Sequence, residues 1–176
     1  MAVWNVIAED TLSAAASSFT LSSISSSYDH LYMVVSARDD KSAYFNSLEF
    51  RFNNTSTPYS NTYLYAHSGT VSSTRDSGGS IGDVISIMAS ASTLADTFST
   101  TTLWIPNYSN TSNDKQCIIN SVVPNNTSSN DQWYVQVTAG LWGSTSAIDQ
   151  IRVKPLSSPQ FQQYTSYVLY GINGAS

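Results

Sequence analysis

Residues able to carry acid–base or nucleophilic chemistry are few in this chain of 176 residues. It has two histidines, His30 and His67, two glutamates, Glu9 and Glu49, and one cysteine, Cys117. A Ser-His-Asp relay needs a histidine base, and with 33 serines present a serine near either histidine carries no information. His30 enters a strand in Tyr28-Asp29-His30-Leu31 and His67 closes Tyr63-Leu64-Tyr65-Ala66-His67, so both read as locally hydrogen-bonded. Their placement lacks the spacing of a helical zinc motif. Glycoside cleavage needs paired carboxylates. Glu49 falls on the outward face of its strand, where a solvated charge is expected, and Asp39, Asp40, Asp76, Asp114 and Asp131 stand in turn-forming clusters. Gly78-Gly79 with Gly82 is followed by no Lys-Ser/Thr and so forms no phosphate loop. Cys117, between Gln116 and Ile118-Ile119, reads as a small buried hydrophobe, and one cysteine makes neither an internal disulfide nor a thiolate metal cluster. The sequence therefore predicts no catalytic, cofactor-binding or metal-binding residue.

The aromatic groups remain: eleven Tyr and four Trp in a chain that is 11% charged. Such side chains supply contact area at low entropic cost. Trp104, Trp133 and Trp142 are assigned to the core. Tyr59 and Tyr108 border loops and are candidate protein-interface residues. So are Val3 and Trp4, in the apolar terminal run Ala2-Val3-Trp4-Asn5-Val6-Ile7. That run either completes its own sheet, the favoured reading, or adds to a neighbour's edge.

The elements that must position these groups are short. Leu48, Phe50 and Phe52 alternate with Glu49, Arg51 and Asn53, the period of a half-buried strand. Similar runs cover 2–8, 18–24, 31–37, 62–67, 83–89, 100–105, 116–123, 132–139, 148–154 and 166–170. A single helical turn is expected around Ser92 to Asp96, and the Ser-rich stretch 68–80 is expected to be a loop. Turn-linked strands without long helices predict an all-β fold: one antiparallel β-sandwich domain over 1–176, jelly-roll-like, with 1–27 as an N-terminal strand and Ser-rich arm packing on it or extending from it.

Net charge of −5 and seven scattered basic residues give no field for a phosphate backbone, which excludes nucleic acid as the expected partner. No apolar run approaches the ~18 residues of a helical membrane span, so no membrane partner is expected. MAVWNVIAED has neither a charged n-region nor an apolar h-region, so no export signal is expected. Six Asn-x-Ser/Thr triplets read as the chance product of 33 Ser, 17 Thr and 13 Asn.

Several stretches together resemble small tailed-phage virion proteins, cyanophage ones among them, built as jelly-roll-like sandwiches. They are Tyr28-Asp29-His30-Leu31; Leu48 to Asn53 followed by Tyr59-Ser60; Ile105-Pro106-Asn107-Tyr108 followed by Asn110-Thr111 and Lys115; Gly140-Leu141-Trp142 before Ala147-Ile148; and Leu169-Tyr170-Gly171-Ile172. The resemblance implies a non-enzymatic structural protein of the virion exterior, made in the bacterial host cytoplasm without a signal peptide. Its expected role is a capsid decoration or cement protein that bridges major capsid protein subunits. The alternative is a tail-fibre or spike module that recognises host surface glycan or protein. The excess of Tyr and Trp over charge, together with the symmetric virion positions that the resemblance implies, predicts a homo-oligomer, with a trimer expected.

Overall fold

The computed structural model describes residues 3–56, 58–77, 83–124 and 133–174. Gly78, Gly79, Gly82, Asn125, Asn126 and Asp131 lie outside the described residues, as does part of the 68–80 stretch.

Alternation produces strands at every run that the sequence marks. In chain order they are β1 (Val3–Thr11), β2 (Phe19–Leu21), β3 (His30–Ala37), β4 (Phe45–Phe52), β5 (Tyr59–His67), β6 (Thr70–Ser77), β7 (Val84–Ala89), β8 (Ser99–Pro106), β9 (Lys115–Val123), β10 (Tyr134–Trp142), β11 (Ile151–Pro155) and β12 (Ser166–Asn173). All ten strand pairings are antiparallel. They form an eight-stranded sheet ordered β1-β12-β3-β8-β9-β10-β5-β6 and a four-stranded sheet ordered β2-β11-β4-β7. The two pack as a sandwich around one core in which Leu31, Met33 and Leu103 of the large sheet meet Leu48, Phe50 and Val153 of the small one.

The chain alternates between sheets. β1, β3, β8 and β12 are adjacent in the large sheet, and β2, β4, β7 and β11 make up the small one. Two hairpins, β5-β6 and β9-β10, stand outside this alternation and add four strands to the large sheet, of which β9, β10 and part of β5 still pack against β7.

Three expectations are corrected. The stretch after His67 is a strand, not a loop: His67 pairs with Thr70 across Ser68 and Gly69, whose φ values of 53° and 74° make a two-residue hairpin turn. Residues 92–96 form turns rather than a helical turn. Arg38 drives that path, because its guanidinium, buried at the end of β3, donates to the carbonyls of Ala91, Thr93, Leu94 and Thr97 and to Thr93 Oγ1. Glu49 does face outward from the small sheet, yet it is only 6% exposed. Its register partner on β11 is Lys154, whose ammonium covers and bonds its carboxylate.

The N-terminal run completes its own sheet by pairing with β12, with a bulge between Val6 and Ala8. The extra residue lets Trp4 and Val6 face outward while Ile7 and Ala8 pack on the core.

Candidate interaction surface

β7 ends the small sheet, and an unpaired strand edge buried in a sandwich strands its N–H and C=O groups. The large sheet supplies the missing partners from its inner face. Asn61 of β5 donates to the Asp83 carbonyl at 3.1 Å and accepts from the Ile85 N–H at 3.4 Å. Thr138 and Gln136 of β10 donate to the Ile85 carbonyl at 3.0 and 3.5 Å. Thr101 of β8 reaches the Ile87 carbonyl at 3.4 Å. These polar residues therefore point inward because β7 needs them.

Their neighbours must then point outward, and in β10 those neighbours are Val135, Val137 and Leu141, all exposed. The cross-strand register assembles such residues into rows. One row runs Val6–Tyr170–Tyr32–Trp104–Ile118–Ala139 from β1 to β10. The next carries Val34, Thr102, Asn120, Val137 and Leu64. One end of the face is aromatic: Trp4 meets Tyr32 and Tyr170 edge-on at ring distances of 5.3 and 5.7 Å, and Trp104 lies 5.1 Å from His30. The other end is aliphatic, with Val122, Val135, Val137 and Leu64 between 40% and 56% exposed.

Charge avoids this face. Among the described residues only Glu9 of β1 and Arg75 of β6, on the two edge strands, are charged side chains directed to it. The outer face of the small sheet is the opposite. There Lys154 pairs with Glu49, and Arg51 holds Asp83 through Nε–Oδ1 at 2.6 Å and Nη2–Oδ2 at 2.9 Å. Eight strands about 4.8 Å apart with four outward positions each make a large-sheet face of roughly 1,000 Å².

The four interface candidates separate. Trp4, 52% exposed, belongs to the uncharged face, whereas Val3, equally exposed, points to the other side of β1. Tyr59 and Tyr108 are corrected to core residues, at 3% and 0% exposure. Tyr59 packs between Phe52 and Trp142, and its hydroxyl oxygen accepts from the Phe52 N–H at 2.9 Å. Tyr108 donates to the Ser25 carbonyl. Each phenol ties a distant or neighbouring backbone segment to the core, the end of β4 for Tyr59 and the segment after β2 for Tyr108. Trp142 is core as expected, while Trp104 lies half-buried on the outer face and Trp133 is half-buried just before β10.

The chemically interesting groups are otherwise occupied. His30 Nδ1 accepts from the Asn107 N–H at 3.1 Å. Lys115, buried at the start of β9, donates to the carbonyls of Asn113 and Thr145, and burial pulls its pKa down. Cys117 is 3% exposed, with its thiol pushed up to about 12 by burial. No group of three His, Cys, Asp or Glu that could hold a metal occurs among the described residues. No family model, curated protein or solved structure matches the chain.

Proposed function

We propose that this chain is a non-enzymatic structural protein of a phage virion, a decoration protein that lays the outer face of its large sheet on major capsid protein subunits and stabilises the head. One observation carries the reading: a nearly charge-free face of roughly 1,000 Å², above the ~800 Å² that each partner contributes to a standard interface, on which exposed Trp4, Val6, Ile118, Val122, Val137 and Leu64 are interspersed with uncharged polar residues. Large exposed apolar side chains grouped on one face, with charge kept to its edges, favour a partner over bare solvent. The division of β1, β3, β8 and β12 from β2, β4, β7 and β11 into two antiparallel layers supports a jelly roll as the finer description of the sandwich.

Attachment through such a face is apolar and hydrogen-bonded rather than ionic. The protein should stay on purified heads at about 1 M salt, where screening extends only ~3 Å. Val137→Glu, at an exposed position in the centre of the face, should leave the melting temperature unchanged and abolish head binding. Release by salt alone, undiminished binding of the variant, or recovery of the protein only from purified tails would each overturn the proposal. Light scattering of the free protein at micromolar concentration reads the expected trimer, and a monomeric mass rejects a stable oligomer in solution.

A further inference from the structure

We infer that the cleft under the overhanging end of the large sheet is a binding site for a neutral saccharide. This inference stands apart from attachment through the outer face, because it concerns the opposite side of the same sheet.

The cleft lies where β5 and β6 carry the large sheet beyond β7, beside the first residues of β10. Their inner face forms its floor, and β7 with the start of β4 forms its wall, enclosing about 430 Å³. Pockets of roughly 300–1,000 Å³ hold small ligands. Its two ends differ in chemistry. At one end, Tyr65 and Tyr134 stack with ring centroids 5.4 Å apart and planes 21° apart, and Phe45 lies 5.0 Å from Tyr134. Burial holds the Tyr134 phenol protonated by pushing its pKa up to about 12. At the other end Tyr63 donates to Asp76 Oδ2 at 2.7 Å, so the carboxylate is fixed in direction while its side chain remains exposed. Burial first, and then that bond, raises the Tyr63 pKa.

Between the ends sits Ser86. It is 1% exposed and lines the cleft, and its hydroxyl has no hydrogen-bond partner. A buried hydroxyl without a partner is costly, and such a group in a concave site is explained when a ligand completes it. An occupant that suits both ends offers a flat C–H face to the tyrosines and hydroxyls to Asp76. A pyranose ring does both.

Charge narrows the class. Among the described residues, Lys41, held to Asn46 Oδ1 at 2.9 Å, is the one cation in the lining, and Asp76 is the one anion. The pair favours an uncharged sugar over a sialylated or phosphorylated one. A phosphate chain would also meet a net charge of −5.

The test is retention of the full chain on an immobilised array of neutral and sialylated oligosaccharides, with free sugar as competitor. Wild type should retain at least one neutral oligosaccharide. Asp76→Asn and Thr74→Trp, both at exposed positions, should weaken that retention tenfold or more at unchanged melting temperature, the first by removing a charge-assisted acceptor and the second by filling the cleft. Val137→Glu on the outer face should leave it intact, which separates this inference from the reading above. Retention of no neutral glycan, of sialylated ones alone, or retention by both cleft variants within twofold of wild type would overturn it.

Discussion

Asn61 offers the sharpest test of how the sandwich closes. It is 1% exposed and is bonded at both ends of its amide to β7, to Asp83 O at 3.1 Å and from Ile85 N at 3.4 Å. Asn61→Ala removes both bonds and strands one buried carbonyl and one buried N–H. A stranded buried backbone group costs about 1–3 kcal/mol. The 3.1 Å bond is well formed and the 3.4 Å bond is long, so the total should fall near 2–4 kcal/mol rather than at twice the upper value. Asn61→Asp discriminates between mechanisms. The carboxylate keeps an acceptor for Ile85 N–H but sets an oxygen against the Asp83 carbonyl, and should cost at least as much as alanine despite its near-identical volume. Thr62→Ala, one residue along and facing outward, serves as the control and should change stability by less than about 0.5 kcal/mol. Urea unfolding followed by tryptophan fluorescence reads all three, with an unchanged m-value confirming that only stability moved. A loss below about 0.5 kcal/mol for Asn61→Ala, or an aspartate variant as stable as wild type, would refute edge-capping by side chains as the device that seats the small sheet.

Other consequences follow from the same packing. A Cβ on Gly140 would stand 2.5 Å from Val84 Cγ1 and 2.7 Å from Cys117 Sγ, so Gly140→Ala should cost about 1–3 kcal/mol, and Val84→Ala in the same chain should recover part of that loss in a double-mutant cycle. With its thiol pushed up to about 12 and 3% exposed, Cys117 should resist iodoacetamide in the native protein and react only with a urea-unfolded sample. Burial raises the pKa of Asp39, and likewise that of Glu49 despite its bond from Lys154; the folded chain therefore holds protons that the unfolded chain releases near the ordinary values of 3.8 and 4.5. The contribution of these two groups is then greatest at the low end of that window and is lost as pH rises through the raised folded values. Melting curves of Asp39→Asn against wild type across the window should show a flatter pH dependence in the variant, and parallel curves would contradict the assignment.

The strand runs were legible in the sequence because most strands bury one face, and burial leaves a period-two record. β6 left none. Its residues are exposed on nearly every position, and its hairpin turn is Ser68-Gly69 with both φ positive, a turn whose usual mark is Asn-Gly. Tyr59 and Tyr108 misled for a related reason. Nearness to a loop in sequence is not nearness to solvent, because a phenol at a loop boundary can turn inward and bond the backbone of another segment, as Tyr59 does with Phe52 at the end of β4 and Tyr108 with Ser25 after β2. Glu49 shows that an outward position in a strand need not be a wet one when its register partner is a long cation. The cleft was out of reach altogether. It brings residues 41–47, 63–76, 85–87 and 134–136 together, and nothing short of the strand order places β5 beside β10.

The inversion in β10 joins these points. Along Gln136-Val137-Thr138-Ala139 the polar members face the core and the apolar members face out, the reverse of the ordinary pattern for a sheet with one wet face. The inward polarity has a complete internal cause, since Gln136 and Thr138 satisfy the Ile85 carbonyl. The outward apolarity has none. Ser or Thr at Val135 and Val137 would serve β propensity at the same backbone positions, and nearby outward positions are in fact Thr100, Thr102 and Asn120. Valine where solvent alone would accept threonine is what the proposed docking of this face on a partner would favour. Because the four strands added beyond the alternating set carry both the aliphatic half of the outer face and the floor of the cleft, one extension of the large sheet provides both surfaces. Deleting the β5-β6 hairpin would accordingly cost head attachment and saccharide retention together, whereas Val137→Glu and Asp76→Asn should separate them.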